Sequence, residues 1–528
     1  MWSSEVQKLV DGARKRVASD VVRMQARRTP RKTALLYEGS RDSFEELDRR
    51  IDRAANALQA LGIAPGDRVA MLSHNNRAYV ILRYSVIRAG AIFTPINFML
   101  NAAEVAYILE HSGARVILAE DALCAVCEKA FTLLKEPPSL KAYIRHAGTK
   151  VPDDWIDGDS WLDHSNALPI EEMNRGEDDP VQLMYTSGTE SRPKGALLSS
   201  RALLAQYASC IIDGGMESND VELHCLPLYH CAQLDCFLRV DFYLGATSIL
   251  LRAPDPGAML AAIESQRVTK LFSPPTVWIS LLRHPDFERR DLSSLRKGYY
   301  GASTMPTAVI EELLERIPGL KLWNLYGQTE MAPVATILKP EDQLRKLGSA
   351  GLPVINVETR IVDVDDRDAA VGEVGEIVHR SAQAMLGYYH DETKTKEAFR
   401  GAWFRSGDLG RFDDDGYLYV VDRKKDMIKS GGENVASREI EERLFAHPKV
   451  AEAAVFGIPD ARWIEAVAAV VVPRAGEMLR VEDLHAYCRE VLAGYKRPKH
   501  IWIVDALPKN ASGKILKREL RERYLAGE

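Results

Sequence analysis

The chain has 528 residues, 46% of them hydrophobic and 27% charged, the balance of a soluble globular protein with room for more than one domain. A formal net charge of -6 argues against a nucleic-acid footprint, and seven cysteines, an odd number, argue against a disulfide framework. With no apolar run of about 18 residues and no basic-then-apolar leader, neither a spanning helix nor a secretory signal is expected, and the cytoplasm is the default compartment.

In chain order, residues 34–37 read as a strand, and Ser43 with Glu46 forms a capping box that opens a helix reaching residue 61. A strand at 68–72, a buried helix at 79–89, a strand at 92–96, a helix capped by Asn101 and Glu104, and a strand at 115–119 follow. Cys124 and Cys127 have metal-like spacing without a second pair, and they read as one face of a helix. Strands alternating with helices imply α/β architecture with doubly wound, mostly parallel sheets, continued at 248–251 and 270–272. From about residue 350 short strands at 357–362 and 375–379 suggest a smaller barrel-like piece, with a turn at 413–416. The charged stretch Arg423-Lys424-Lys425-Asp426 lacks apolar periodicity, so the boundary is set there, giving units of 1–422 and 423–528. The second reads as a compact α+β domain: a helix at 437–445, strands at 450–457 and 466–472, a helix at 481–492 and a strand at 501–504.

Between these elements lies Tyr185-Thr186-Ser187-Gly188-Thr189-Glu190-Ser191-Arg192-Pro193-Lys194-Gly195. Hydroxyls of Thr186, Ser187 and Thr189 can donate to phosphate oxygens, Gly188 lets backbone N–H groups turn to an anion, and Lys194 supplies positive charge. The apolar run 181–184 suits a strand and 196–207 suits a helix, an order that would set phosphates at a helix N-terminus. The spacing is not that of a Walker loop, and a polar surface loop is the bland alternative, but eleven residues in this order are more specific than that. The segment resembles the phosphate-binding signature of the adenylate-forming superfamily, which includes acyl-CoA synthetases, luciferases and peptide-synthetase adenylation domains. It departs at Glu190 and Ser191, where that signature carries Thr and Gly. A carboxylate beside a triphosphate is unfavourable, so Glu190 is expected to point away from the phosphates or to pair with Arg192.

Further segments are similar to the superfamily's other signatures, in order, over about residues 20–525. The resemblance implies that Asn324 hydrogen-bonds adenine, that Tyr326, followed by Gly327, stacks on the ring, that Thr329 contacts the α-phosphate and that Glu330 binds Mg2+. Gly301, Ala302 and Ser303 would pack beside adenine and the acyl group, Asp408 would accept the ribose hydroxyls, and Arg423 would reach the ribose. Lys425 would be the hinge of a mobile C-terminal domain, and Gly431, Gly432 and Glu433 would line the CoA tunnel. Lys514 would bridge carboxylate and α-phosphate during adenylation; His230 would gate the acyl pocket, with Leu234 on the pocket helix.

The resemblance thus implies an acyl-CoA synthetase that uses ATP, Mg2+ and CoA in two half-reactions. The small apolar lining of Cys231, Ala232 and Leu234, with no fixed cation in view, points to an apolar monocarboxylic acid. A medium- or long-chain fatty acid is expected, with an aryl or cinnamate-type acid as the alternative. Adenylation for a carrier protein stands behind both, because Cys231 occupies the place where amino-acid-activating relatives carry Asp. A non-catalytic relative would be expected to lack Glu330 or Lys514, and both are present. A homodimer is left open.

Overall fold

The computed structural model describes residues 3–166, 168–170, 176–186, 192–301, 303, 305–430, 433–460, 462–509 and 515–525. Two large sheets are built mainly from the first two-thirds of the chain. The eight-stranded sheet runs Gly387–Tyr388, Lys194–Ser199, Pro180–Thr186, Ile92–Ile96, Arg68–Leu72, Val116–Glu120, Leu140–Ile144, Ile156–Asp157. The nine-stranded sheet runs Leu352–Pro353, Val334–Leu338, Lys321–Gly327, Lys297–Gly301, Lys270–Phe272, Val221–His224, Thr247–Leu250, Thr33–Tyr37, Ser40–Ser43. Their central ladders are parallel, as the strand–helix alternation requires. Every residue of Ile92–Ile96 and of Val116–Glu120 is buried, which is why these strands are mostly apolar without alternation: both faces of the sheet are covered. The helix Arg77–Arg88 is buried from Ala78 onward, and both expected capping boxes, at Ser43 and Asn101, are formed.

One expectation fails at an important place. The hydroxyl-rich loop is followed by the strand Lys194–Ser199, not by a helix; it pairs antiparallel with Pro180–Thr186, with Thr186 opposite Lys194. The helix starts only at Ser200, capped by the Ser199 side chain. The described limbs on either side of this segment thus pair as an antiparallel ladder, and no helix N-terminus follows it directly. Ala196 and Leu198 turn into the core while the backbone is held from both sides, by Pro180–Thr186 and by Gly387–Tyr388. Tertiary pairing has overridden the helix-compatible composition of this segment.

The smaller piece is a five-stranded antiparallel sheet built from Val357–Val362, Gly375–Ser381, Phe399–Arg400, Trp403–Phe412 and Leu418–Arg423. The Asp turn is present: the Asp413 carboxylate accepts the N–H groups of Asp415 and Tyr417, and Gly416 takes φ +81°. The C-terminal unit is built on the hairpin Val450–Asp460 and Ile464–Pro473, with His500–Ile503 added in parallel. Its strands alternate between two small cores. Val455, Val467 and Val471 meet Ile440, Leu444 and Leu484 on one face; Phe456, Ala468 and Val470 meet Leu520 on the other.

Fully buried charges cluster once in the nine-stranded sheet. Glu222, His224 and Asp241 lie close enough to hold a metal ion. The Lys270 ammonium already occupies that place, 2.8 Å from Glu222 Oε2 and donating to Asp241 Oδ1.

Candidate active site

The parallel strands Lys297–Gly301 and Lys321–Gly327 end side by side, at the carboxyl edge where open α/β sheets take ligands. A Cβ on Gly301 would lie 2.5 Å from the Leu325 carbonyl oxygen, and one on Gly327 would overlap the Pro333 carbonyl. Backbone closeness alone therefore demands both glycines. Asn324 donates from Nδ2 to the Ser349 carbonyl at 3.0 Å, which orients its amide and leaves Oδ1 as the acceptor.

Three elements converge on Asp408. Tyr326 donates its hydroxyl to Asp408 Oδ2 at 2.8 Å, and Arg423 Nε lies 3.5 Å from Asp408 Oδ1, directly across the ladder. Burial, reinforced by the Asp408 charge, pushes the Tyr326 phenol well above its usual range, so it stays a donor. Ser406 Oγ accepts the Asp408 N–H at 3.0 Å and fixes the turn of the strand.

A second constellation joins the hairpin to the turn Thr329–Met331. Glu330 is buried, and its Oε1 accepts from the Tyr388 hydroxyl at 2.8 Å, leaving Oε2 for a cation. Lys194 Nζ lies over the Tyr388 ring, 5.3 Å from its centre. Tyr388 thus touches both the lysine of the phosphate loop and the acidic residue of the turn. Sequence reading missed it, although Gly387-Tyr388-Tyr389 is a conspicuous aromatic step; nothing local links it to Glu330, 58 residues earlier. Thr329 Oγ1 lies 3.2 Å from Cys231 Sγ.

Arg192 stacks over Tyr107 at 5.4 Å, and the Tyr107 hydroxyl donates to the Pro193 carbonyl at 3.1 Å, so the helix Ala102–Ser112 braces the loop's outgoing limb. His230 is half-buried, and its Nδ1 accepts the Ala232 N–H at 3.2 Å. Leu234 is fully buried in the π-helix Ala232–Leu238, a wide turn common at functional sites. Asn75, also missed by sequence reading, grips this region: its side chain donates to the Leu226 carbonyl and accepts the Leu228 N–H, both at 2.8 Å.

Lys425 keeps an exposed side chain, yet the protein packed around its ammonium, together with Arg423, lowers it to about 8, with Lys194 adding to the effect. Contacts cross the junction beside it. Asp422 Oδ2 accepts the Ser437 N–H at 2.6 Å, Arg438 donates to the Val420 carbonyl at 2.9 Å, and Lys424 Nζ meets Glu376 at 3.1 Å. Glu433 is exposed at the start of the strand Glu433–Val435. Lys517, just beyond the loop expected to carry the catalytic lysine, donates to Ser437 Oγ at 2.7 Å and meets Glu441 at 2.8 Å. Ser187, Gly188, Thr189, Glu190, Ser191, Ala302, Gly431, Gly432 and Lys514 lie outside the described residues. Ser303 is exposed beside Gly301.

Residues 22–389 match the AMP-binding enzyme family, and residues 439–514 match the AMP-binding enzyme C-terminal domain. The chain belongs to the AMP-binding enzyme family. It is 39% identical over 502 residues to a feruloyl-CoA synthase from Amycolatopsis sp, covering 95% of this chain and 97% of that one. It is 34% identical over 510 residues to the long-chain-fatty-acid–CoA ligase FadD13 of Mycobacterium tuberculosis, with 96% and 98% covered. The anthranilate CoA ligase AuaEII, solved with anthranoyl-AMP, superposes with a TM-score of 0.88 at 28% identity over 97% of this chain and 98% of that one. The AMP-binding enzyme is an AMP-forming acyl-CoA ligase that works through an acyl-AMP, using ATP and CoA. No helix among its described residues is long and apolar enough to cross a membrane.

Proposed function

We propose that this ligase activates an apolar aromatic monocarboxylic acid of the arylpropenoic or aryl-carboxylic type. The observation that carries the reading of the site is its two constellations, Lys194, Tyr388 and Glu330 beside Thr329, and Tyr326, Asp408 and Arg423. The first group suits a polyphosphate with its cation, and the second suits a ribose. Support for an aromatic acid is the higher identity to the feruloyl-CoA synthase and the similarity to the anthranilate ligase. A medium- or long-chain fatty acid is the second reading, supported by the 34% identity to the long-chain ligase and by the apolar Cys231, Ala232 and Leu234.

In the first half-reaction a carboxylate oxygen of the acid attacks the α-phosphorus of ATP, and the bond to the pyrophosphate oxygen breaks. The enzyme's part is positioning and charge neutralisation. Thr186 and Lys194, with Ser187, Gly188 and Thr189 of the loop, cradle the leaving pyrophosphate, and Thr329 donates to the α-phosphate. Lys514 bridges the entering carboxylate and that phosphate. Asn324 Oδ1 accepts from the adenine amino group, Tyr326 offers its ring to the purine, and Gly301, Ala302, Ser303 and Gly327 leave room beside it. Asp408 accepts the ribose hydroxyls while Arg423 holds the opposite edge. Glu330 would hold a Mg2+ ion through Oε2, and that ion would offset negative charge on the phosphates.

In the second half-reaction the C-terminal domain, 423–528, turns about Lys425, withdraws Lys514 and brings Gly431, Gly432 and Glu433 to line the CoA tunnel. The thiol sulfur attacks the acyl carbon, the bond from that carbon to the phosphate oxygen breaks, AMP leaves with that oxygen, and the thiol proton passes to solvent. His230 gates the acyl pocket, and Leu234 forms part of its wall. The cytoplasm is the compartment that fits a CoA-dependent enzyme, and the oligomeric state is open to measurement.

The test is kcat/KM by pyrophosphate release for cinnamic, ferulic, benzoic and anthranilic acids against the saturated C4–C16 acids. A preference for the aromatic acids supports the first reading. A steady rise with chain length, about 0.8 kcal/mol per buried methylene, replaces it with the second.

A further inference from the structure

We propose that Cys231 is a positioning residue: its thiol proton fixes the hydroxyl of Thr329 toward the α-phosphate, tying the wall of the acyl pocket to the adenylate site. The inference rests on the reading of Thr329 as the α-phosphate contact.

The two side chains come from segments 98 residues apart, and Cys231 Sγ lies 3.2 Å from Thr329 Oγ1. Cys231 is buried immediately before the π-helix Ala232–Leu238, between His230 and the pocket residues Ala232 and Leu234. Thr329 opens the turn whose next residue, Glu330, is held by Tyr388. The Thr–Glu pair is thus gripped from both sides: Tyr388 on the carboxylate and Cys231 on the hydroxyl.

The direction of the hydrogen bond follows from the chemistry of the ligand. A threonine hydroxyl has one proton and two lone pairs, while ionised phosphate oxygens only accept. When Thr329 donates to phosphate, its proton is committed, and it can then only accept from Cys231. The thiol can supply that proton because burial pushes its pKa up to about 12, so it remains S–H throughout the physiological range. The chain S–H to O–H to phosphate oxygen runs one way, and each bond polarises the next. With Cys231 removed, the hydroxyl is free to rotate away from the phosphate. The same bond makes the start of the pocket helix register with the nucleotide, so the acid's carboxylate end and the α-phosphorus are set by one contact.

The experiment compares Cys231→Ala, Cys231→Ser, Thr329→Ala and the double variant C231A/T329A. It measures pyrophosphate release for adenylation, thioester formation from supplied acyl-AMP, and melting temperature. C231A is expected to lower the adenylation kcat by ~3–10-fold, the worth of one modest hydrogen bond, with KM for ATP and acid within about twofold of the parent. C231S, which keeps a donor, should recover to within about twofold of the parent, and C231A should add less than about twofold in the T329A background. Acyl-AMP keeps the α-phosphate, so thioester formation from it should also fall in T329A, and C231A should add less than about twofold to that loss in the T329A background. If C231A fails to fold, Cys231→Val, of similar volume and without a donor, takes its place.

Parent-like adenylation in C231A, equal losses in C231A and C231S, or an undiminished C231A loss in the T329A background would each overturn the assignment. Parent-like adenylation in T329A itself would overturn the reading of Thr329 and the inference with it. That failure is distinguished from the others because it appears in the single threonine variant.

Discussion

Two groups of positive charge in this molecule are treated in opposite ways. Around Lys270 everything is fully buried and balanced. Burial works against the ammonium, yet Asp241, Glu222 and Asp220 hold it well above its usual range. Asp241 stays low despite burial because Lys270 and His224 face it, while burial and the neighbouring Asp241 push Glu222 well up, so that it keeps its proton. Lys270 thus faces one anion in Asp241, while Asp220 is paired with Lys297 at 2.8 Å. Around Lys425 the shift runs the other way. Burial, Arg423 and Lys194 lower this lysine to about 8, although Asp426 and Asp408 oppose the shift. One lysine is held charged by the carboxylates that face it, whereas the other lies among like charges that a bound anion would offset. A nucleotide triphosphate is such an anion.

Lys514→Ala should cause the largest change. We expect adenylation to fall by ~10²–10³-fold, as when one group that stabilises transition-state charge is lost, with thioester formation from supplied acyl-AMP largely intact. Equal losses in both half-reactions would contradict the division of labour. On the structural side of the comparison, Lys270→Met removes the cation of the closed cluster and leaves Asp241 buried without it. It should cost about 3–5 kcal/mol of stability in denaturant unfolding, with near-parent kcat in the folded fraction. A mild cost with a large loss of kcat would place Lys270 in the site instead.

Tyr388→Phe removes only the hydroxyl on Glu330 Oε1 and keeps the ring under Lys194. A loss of ~3–30-fold in adenylation is expected, with more Mg2+ needed for half-maximal rate and an unchanged rate from acyl-AMP. A Mg2+ profile identical to the parent's would sever the link between Tyr388 and the cation.

The smallest effect is the pH response of Lys425. Its folded value lies below the unfolded 10.5, so between about 8 and 10.5 the unfolded chain holds more protons. Ligand-free stability should therefore rise with pH through that window. A polyanion favours the protonated form, so ATP affinity should weaken as pH climbs past about 8. Lys425→Gln should flatten both trends and melt no lower than the parent without nucleotide. A variant that melts lower, with the ATP pH profile unchanged, would show Lys425 to be a structural charge like Lys270.

The sequence carried much of this, and its failures are physical. Capping boxes, fully apolar strands and the short signatures were legible because each depends on neighbours in the chain. The strand Lys194–Ser199 was not, since Gly195-Ala196-Leu197-Leu198 suits helix or strand and is decided by two flanking strands far away in sequence. Tyr388 on Glu330, Cys231 on Thr329 and Asn75 on Leu226 are contacts across 58, 98 and 151 residues, which no local pattern encodes. Gly301 was read as lying beside the ligand; the backbone of Leu325 demands it as well, and that of Pro333 demands Gly327.

The most direct test of the account is a rapid-mixing measurement of pyrophosphate release with ATP, Mg2+ and a preferred acid, with and without CoA. The account predicts a burst of up to one equivalent per site without CoA, acyl-AMP retained on the enzyme, and sustained turnover to AMP and thioester once CoA is added. Release of ADP and phosphate, or thioester formation with no acyl-AMP burst, would contradict it.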